Sequence, residues 1–317
     1  MSAKPVLRVD FVDFWHAFDK VDNYLMRALQ TRFDVRLVDF PDLLIYSGMG
    51  YRHKLYTCRK LFYTGESIHA DFRDCDYAIT TLHSADPRSY RLPHYATLHD
   101  PAALVKAADE ATTVPPQKTD FCAFVVSQDH GKKTANRIDF FHRLSRYKKV
   151  SSGGRLFNNI GGPLGPRRED KLAFLRRHKF MIAFENGRHP GYITEKLYDA
   201  MEARCIPIYW GDPEVAREFN PKSFVNVADF PDADAAIARV IEIDRNPALY
   251  QAMLAEPYFH GNRPNASFDT EKLCDFFETI RADRTVPRAG RGVRGLLGDR
   301  FRWMLAKRNE AWRPPAA

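Results

Sequence analysis

Residues 179–213 bring an unusual set of side chains into a short stretch. Glu185 and Asn186 follow the apolar run 180–184. Thr194, Glu195 and Lys196 then open a segment in which Leu197, Ala200 and Met201 share one helical face. The pattern predicts a buried parallel strand, a glycine-containing loop, a helix and a further strand at 206–210. The carboxylate and amide of residues 185 and 186 would then lie at a strand's carboxyl end, where open α/β sheets bind ligands. Thr194 suits the N-cap. A helix starting there points the positive end of its dipole into the same crevice and favours an anion. Acidic side chains are the usual choice for a first turn, so Lys196 is out of place unless a phosphate binds beside it. Arg137 holds a comparable position, opening the segment 136–147, whose Phe140, Phe141, Leu144 and Tyr147 can face a core. Its guanidinium adds a bidentate fork near a second helix start. One arginine and one lysine at two helix starts can neutralise a diphosphate without a metal ion, the need of a reaction in which a nucleoside diphosphate leaves. The competing reading for either residue alone is a solvated surface cation.

The rest of the chain must supply the elements that hold these groups. Strand-like and helix-like segments alternate throughout its 317 residues, which predicts α/β architecture. In the first half, strands are expected at 6–13, 34–39, 43–46, 60–63 and 76–80, with a helix at 21–32 beginning near Asp22. The double proline at 115–116 is the best linker candidate. Beyond it, strands are expected at 121–127, 180–185, 206–210 and 224–227. Helices are expected at about 135–147, 169–178, 194–204, 232–243, 247–254 and 269–283. The domains read from this are 1–114, 115–284 and a basic tail, 285–317.

Composition excludes several classes. Hydrophobic residues make up 44% and charged residues 28%, as in ordinary globular proteins and unlike disordered or fibrous chains. No run approaches the roughly 20 apolar residues of a membrane span. The opening residues lack the apolar block of about 7–15 residues that a secretory signal needs. Five scattered cysteines without a Cys-x-x-Cys pair make neither a disulfide framework nor a zinc ribbon. The expected location is therefore the cytoplasm. The net charge of +8 is concentrated in the tail: residues 281–317 hold ten Lys or Arg against three Asp or Glu. Val293, Leu297, Phe301, Met304 and Leu305 recur there at helical spacing, and Trp303 and Trp312 add aromatic bulk. The tail is expected to bind an anionic membrane surface, peripheral to the inner face of the cytoplasmic membrane; the competing readings are an ordinary solvated C-terminal helix and, less favoured, a nucleic-acid contact.

Other chemistries find weak support. Asp74-Cys75-Asp76 and Asp232-Ala233-Asp234 match a metal-binding Asp-x-Asp pattern. Helix capping accounts for the second, and the first precedes a strand instead of following one. The eleven histidines include no His-Glu-x-x-His, and His69, His83, His94 and His99 are irregularly spaced for zinc. Gly153-Gly154 and Gly161-Gly162 do not form a dinucleotide fingerprint.

The segments Phe184-Glu185-Asn186, Gly191-Tyr192-Ile193-Thr194-Glu195-Lys196 and Ile206-Pro207-Ile208-Tyr209-Trp210-Gly211 resemble the signature of the α-1,3/4-fucosyltransferases, glycosyltransferase family 10. The resemblance runs on through Asn220–Val227. Upstream it includes Arg137-Ile138-Asp139-Phe140-Phe141, Tyr147–Gly154 and Phe62-Tyr63-Thr64-Gly65-Glu66, and in all it covers roughly residues 6–260. It implies a GT-B architecture, two Rossmann-like domains facing a cleft, with GDP-fucose bound by the C-terminal one and a GlcNAc-containing glycan as acceptor. It implies inversion of configuration, no cofactor and no metal in the site. By position, Arg137 and Lys196 would hold the diphosphate, and Asn186, Tyr192 and Glu195 would line the donor pocket beside Glu185. Arg155 is a weaker candidate.

An inverting transfer needs a carboxylate to take the acceptor proton. The family's Tyr-Thr-Gly-Glu motif places that base at Glu66, which the local pattern sets at a strand's carboxyl end. Glu185 and Glu195 are its rivals. On the acceptor side, Asp13, Trp15, His16 and Phe18 follow the first strand, and Trp15 can stack on a sugar face; the competing reading is core packing at the strand end. The chain departs from the family pattern at Gly187-Arg188-His189-Pro190, which adds bulk and charge beside the donor site. The alternatives are a related transferase with another donor or acceptor, and an inactive glycan-binding relative.

Overall fold

The fold comes from a computed structural model that describes residues 3–107, 118–128, 131 and 135–287. Both the linker candidate at 115–116 and the basic tail from residue 288 lie outside these described residues. In chain order the elements begin β1 (Val6–Val12), α1 (Tyr24–Arg32), β2 (Asp34–Leu37), β3 (Leu43–Tyr46), β4 (Arg59–Tyr63), β5 (Tyr77–Thr80) and β6 (Ser89–Arg91). They continue α2 (His94–Leu98), β7 (Asp120–Phe124), α3 (Ala135–Ser145), β8 (Val150–Ser152), α4 (Arg168–Leu175), β9 (His178–Phe184) and α5 (Glu195–Glu202). Last come β10 (Ile206–Trp210), β11 (Val225–Asn226), α6 (Ala233–Arg245), α7 (Pro247–Ala255) and α8 (Thr270–Ala282). The described residues form two compact units, one within Met1–Leu92 and Asp269–Ala317, the other Pro93–Phe268.

The first unit is a six-stranded parallel sheet in the order β2-β1-β3-β4-β5-β6. Its central strand β3 is buried along its whole length, as a parallel strand covered on both faces must be. Helix α1 starts at Tyr24, because Asn23 accepts the Met26 N–H and caps it. Sequence reading assigns the helix near 269–283 to the C-terminal domain. In the structure α8 packs on α1 in the first unit, with Cys274 Sγ 3.1 Å from Thr31 Oγ1 and Arg32 paired to Glu271 at 2.6 Å and Asp275 at 2.9 Å. Helical periodicity reveals that α8 has an apolar face, Leu273, Cys274, Phe277 and Ile280, but not which sheet that face covers. The last turn of α8 and the residues after it are anchored by Arg59, which donates to the carbonyls of Ile280, Asp283 and Thr285 at 2.7–3.0 Å.

The second unit is a five-stranded parallel sheet in the order β11-β10-β9-β7-β8. Side chains along β9 alternate between its faces with the period of two that a strand imposes. Phe180, Ile182 and Phe184 enter a core shared with Phe140, Phe141 and Leu144 of α3 and with Ile237 and Val240 of α6. Met181 enters the opposite core with Leu172 and Leu175 of α4 and Ala200 of α5. Helices on both faces make this a doubly wound, Rossmann-like unit. The chain leaves β7 in one direction to β8 and returns past it to β9, so the strand order reverses between β7 and β9. Both units are thus parallel, Rossmann-like sheets, as the resemblance implies. The short β6, β8 and α2 were not anticipated, because three to five residues carry too little periodicity.

Candidate active site

The signature stretch builds the centre of the site. Glu185, just past β9, is 1% exposed. Its Oε1 accepts the Thr194 N–H at 2.7 Å, and its Oε2 accepts the Thr194 hydroxyl at 2.6 Å and Lys196 Nζ at 3.2 Å. Thr194 does occupy the N-cap of α5, but its hydroxyl turns to Glu185 instead of capping the helix. Glu185 thus fixes the loop and the helix start, and both its oxygens are engaged. Lys196 also reaches the Thr194 hydroxyl at 2.9 Å and lies 3.5 Å from Glu195 Oε1. Burial raises the pKa of Glu185, opposed by Lys196. Burial also opposes the charge on Lys196, but Glu185 and Glu195 outweigh it and raise the lysine above its ordinary value. Gly211, at the end of β10, is required by this packing. A Cβ there would lie 2.5 Å from both Glu185 Cγ and Tyr209 Oη.

Arg137 in the first turn of α3 is 2% exposed. Its Nη1 donates to Asn186 Oδ1 at 3.0 Å and its Nη2 to the Gln128 carbonyl at 3.1 Å. Gln128 follows β7 and Asn186 follows β9, so the guanidinium spans the carboxyl ends of the two strands between which the order reverses. Open α/β sheets bind ligands at that point. Arg137 and Lys196 therefore reach adjacent residues, 186 and 185. Tyr192, in the loop before α5, has its ring fully buried. Arg188 and His189 in the divergent loop are exposed.

A cavity of about 540 Å³ opens beside Glu195. Its walls include Val125 and Ser127 after β7, Gly153, Gly154 and Arg155 after β8, and Arg168 and Lys171 of α4. The size suits a small organic ligand. Arg155, the weaker candidate, is exposed on this wall. Gly154 lets the strand end pass close to its neighbour, since a Cβ there would lie 2.0 Å from the Val126 carbonyl oxygen.

Sequence reasoning missed the residues behind α5. Asp199, 2% exposed, accepts Arg168 Nη2 at 2.9 Å and Lys171 Nζ at 2.7 Å. The His99 side chain is 1% exposed and its ring stacks on Tyr198, centroids 4.4 Å apart and planes at 6°. His94 Nδ1 lies 3.6 Å from Glu195 Oε2. Burial opposes the charge of Glu195, but Lys196, His94 and Lys171 together hold its carboxyl well below the usual range. These histidines lie about a hundred positions before α5, and local spacing gives no signal of such a pairing.

In the first unit, Glu66 lies in the turn after β4 with an exposed side chain. Its backbone is fixed: its N–H donates to Thr64 Oγ1 at 3.0 Å, and its carbonyl accepts the Ile68 N–H at 2.8 Å and the Thr81 hydroxyl at 3.2 Å. Trp15, after β1, is 51% exposed, and His16 beside it is exposed too. The Trp15 ring packs edge-on against Phe14 and Phe18, and Phe14 stacks on Tyr63 at the end of β4. An aromatic platform and the Glu66 turn thus share the carboxyl edge of this sheet. Asp13 is not part of that surface. Its carboxylate is turned inward, accepting the Arg52 and His53 N–H groups at 3.0 and 2.9 Å and meeting His53 Nδ1 at 2.7 Å.

Of the Asp-x-Asp pairs, Asp232 caps α6 by accepting the Ala235 N–H, Asp234 pairs with Arg143, and Asp76 accepts the Lys60 N–H. Among the described residues no three His, Cys, Asp or Glu side chains are grouped to hold a metal ion. No helix among them is long and apolar enough to cross a membrane.

Known proteins with the same pattern carry the assignment. Residues 9–98 match the alpha-(1,3)-fucosyltransferase FucT N-terminal domain, and residues 115–292 match the C-terminal part of glycosyltransferase family 10 (fucosyltransferase). The chain is similar to the alpha-(1,3)-fucosyltransferase FucT of Helicobacter pylori, 30% identical over 90% of this chain and 68% of that one. It is 37% identical to human alpha-(1,3)-fucosyltransferase 4 over 56% of this chain, which is a third of that protein's length (33%). A crystal structure of an alpha1,3-fucosyltransferase with GDP-fucose superposes with a TM-score of 0.71 at 27% identity, covering 90% of this chain and 93% of that one. The chain belongs to glycosyltransferase family 10, the fucosyltransferases, and is a glycosyltransferase of that family.

Proposed function

We propose that this protein is an inverting α-1,3-fucosyltransferase moving L-fucose from GDP-fucose to the GlcNAc of a lactosamine-type glycan. The observation that carries the donor side is the junction of β9 and α5. There Arg137 and Lys196, both largely buried, converge on Asn186 and Glu185 at the topological switch point. Two cations and a helix start favour the diphosphate, and the cavity beside Glu195 has room for the nucleoside. The relative solved with GDP-fucose supports the choice of donor.

In the reaction, an acceptor hydroxyl oxygen forms a bond to the anomeric carbon of fucose while the bond from that carbon to the β-phosphate oxygen breaks. The hydroxyl proton passes to the carboxylate of Glu66. Positive charge from Arg137 and Lys196 offsets what accumulates on the departing GDP, so no metal is needed for that task. The exposed Trp15 offers a ring face for stacking on the acceptor, with His16 beside it.

The test is GDP release from GDP-fucose in EDTA, with and without N-acetyllactosamine, for wild type and Glu66→Ala. Expected are acceptor-dependent turnover in EDTA and a loss of about 10²–10⁴-fold in Glu66→Ala with GDP binding unchanged. Tight GDP binding without turnover on any lactosamine acceptor would point to another donor or acceptor, or to an inactive glycan-binding relative. Full activity in Glu66→Ala would remove Glu66 as the base.

A further inference from the structure

Helix α5 carries acidic residues at 195, 199 and 202, on one face at spacings of four and three. Two separate elements read this face. From α4, Arg168 pairs with Asp199 and Glu202, and Lys171 pairs with Asp199. The strap formed by α2 and the residues after it approaches with two histidines: His94 stands 3.6 Å from Glu195 and His99 Nε2 stands 3.7 Å from Asp199, one helical turn further on. The strap is firmly seated. His99 stacks on Tyr198, the Tyr198 hydroxyl donates to the Asp100 carbonyl at 2.5 Å, and the Tyr95 and Tyr198 rings are nearly parallel at 6.2 Å. Pro93 precedes α2 with a φ of −63°, so the backbone leading into His94 is also constrained. Leu98 and His99 from this strap line the same cavity as Glu195 and Asp199.

We propose that His94 is a positioning residue for the donor, acting through Glu195. The carboxylate of Glu195 has Lys196 3.5 Å from Oε1 and His94 3.6 Å from Oε2. A glutamate side chain left to itself samples several rotamers. Contacts on both oxygens select one, in which the remaining lone pairs are presented to the cavity as acceptors for sugar hydroxyls. The side chains of His94 and Glu195 are 33% and 29% exposed, so the pair lies at the ligand-accessible rim and not in the core. An isolated surface pair of this kind contributes little. This one differs because its histidine is delivered by a strap that ring stacking and the Tyr198–Asp100 hydrogen bond already hold in place. The inference rests on the reading of the cavity as the nucleotide-sugar site.

The experiment is calorimetric titration of the full chain with GDP-fucose, without acceptor, for wild type, His94→Ala, His94→Gln, Glu195→Gln and the double variant His94→Ala/Glu195→Gln. His94→Ala is expected to raise the dissociation constant about fivefold or more in the wild-type background and less than about twofold beside Glu195→Gln, the non-additivity of two groups acting as a unit. His94→Gln, whose amide can still donate to the carboxylate, should stay within about twofold of wild type. Equal losses in both backgrounds would reduce His94 to packing and overturn the assignment, as would unchanged binding in His94→Ala. Wild-type protein that does not bind GDP-fucose would overturn the donor reading itself, whereas tight wild-type binding with additive losses overturns only the role of His94.

Discussion

Asn186 Oδ1 accepts a hydrogen bond from Arg137 Nη1 at 3.0 Å, although the two residues are 49 positions apart in the chain. The contact ties the amide at the end of β9 to the first turn of α3. The same guanidinium holds the Gln128 carbonyl after β7. Arg137 therefore serves as a structural clasp that also fixes its charge at the switch point. Such preorganisation is how a site stabilises a departing anion without reorganising at the moment of reaction.

Glu185 is the matching clasp on the α5 side. Removing its carboxylate leaves the Thr194 N–H and the Lys196 ammonium without the acceptor they now share. Glu185→Ala is expected to lose about 3–5 kcal/mol of stability, the usual result of breaking a buried pair by deleting one partner. Glu185→Gln keeps an acceptor and should lose clearly less. Urea unfolding of the three proteins measures both, and an unchanged Glu185→Ala midpoint contradicts the clasp.

His99 gives the fold a definite response to acid. Burial lowers its pKa to about 4, below the ordinary value of 6.5. Between these values the unfolded chain binds a proton that the folded chain does not, so stability falls as pH drops through that window. Between pH 7 and pH 5, wild type should lose about 2 kcal/mol more than His99→Phe, which keeps the stacked ring without the titration. Parallel denaturation curves at the two pH values read the difference. Equal pH dependence in both proteins removes His99 as its source.

Gly154 admits no side chain. The Cβ of Gly154→Ala would sit 2.0 Å from a backbone carbonyl oxygen, which cannot swing aside as a side chain would. We expect a loss of about 1–3 kcal/mol or more, together with weaker GDP binding as Arg155 and the wall after β8 shift. Thermal unfolding and a GDP titration report the two effects separately. A variant as stable as wild type would mean that β7 and β8 can separate at their carboxyl ends.

We propose the basic tail as a membrane-surface element, and the fold indicates where to cut it. Arg59 holds the backbone carbonyls of Asp283 and Thr285, so a truncation at 285 would disturb the first unit. A chain ending at Pro287 should keep its melting temperature and lose sedimentation with vesicles containing anionic lipid. Full vesicle binding by that truncation would move the surface contact elsewhere.

The sequence by itself determined the α/β class, the strand–loop–helix order of residues 179–213, and the family. Each rests on local information: a period of two or 3.6, a cap, or a contiguous motif such as Gly191–Lys196. It also singled out Glu185, Asn186 and Lys196 as one group, because a strand end and the next helix start are adjacent whenever the connecting loop is short. Only the tertiary structure decided which elements share a unit and which distant side chains meet. The apolar face of α8 was legible, but its partner proved to be α1 in the first unit. Thr194 looked like a cap because its backbone position is one, yet its hydroxyl donates to Glu185 and accepts from Lys196 instead of accepting a backbone N–H of the helix. The stacking of His99 on Tyr198 and the approach of His94 to Glu195 join residues about a hundred positions apart. Periodicity records that a face is buried. It does not record against what, because apolar burial is non-directional and any complementary face satisfies it until the whole chain is packed.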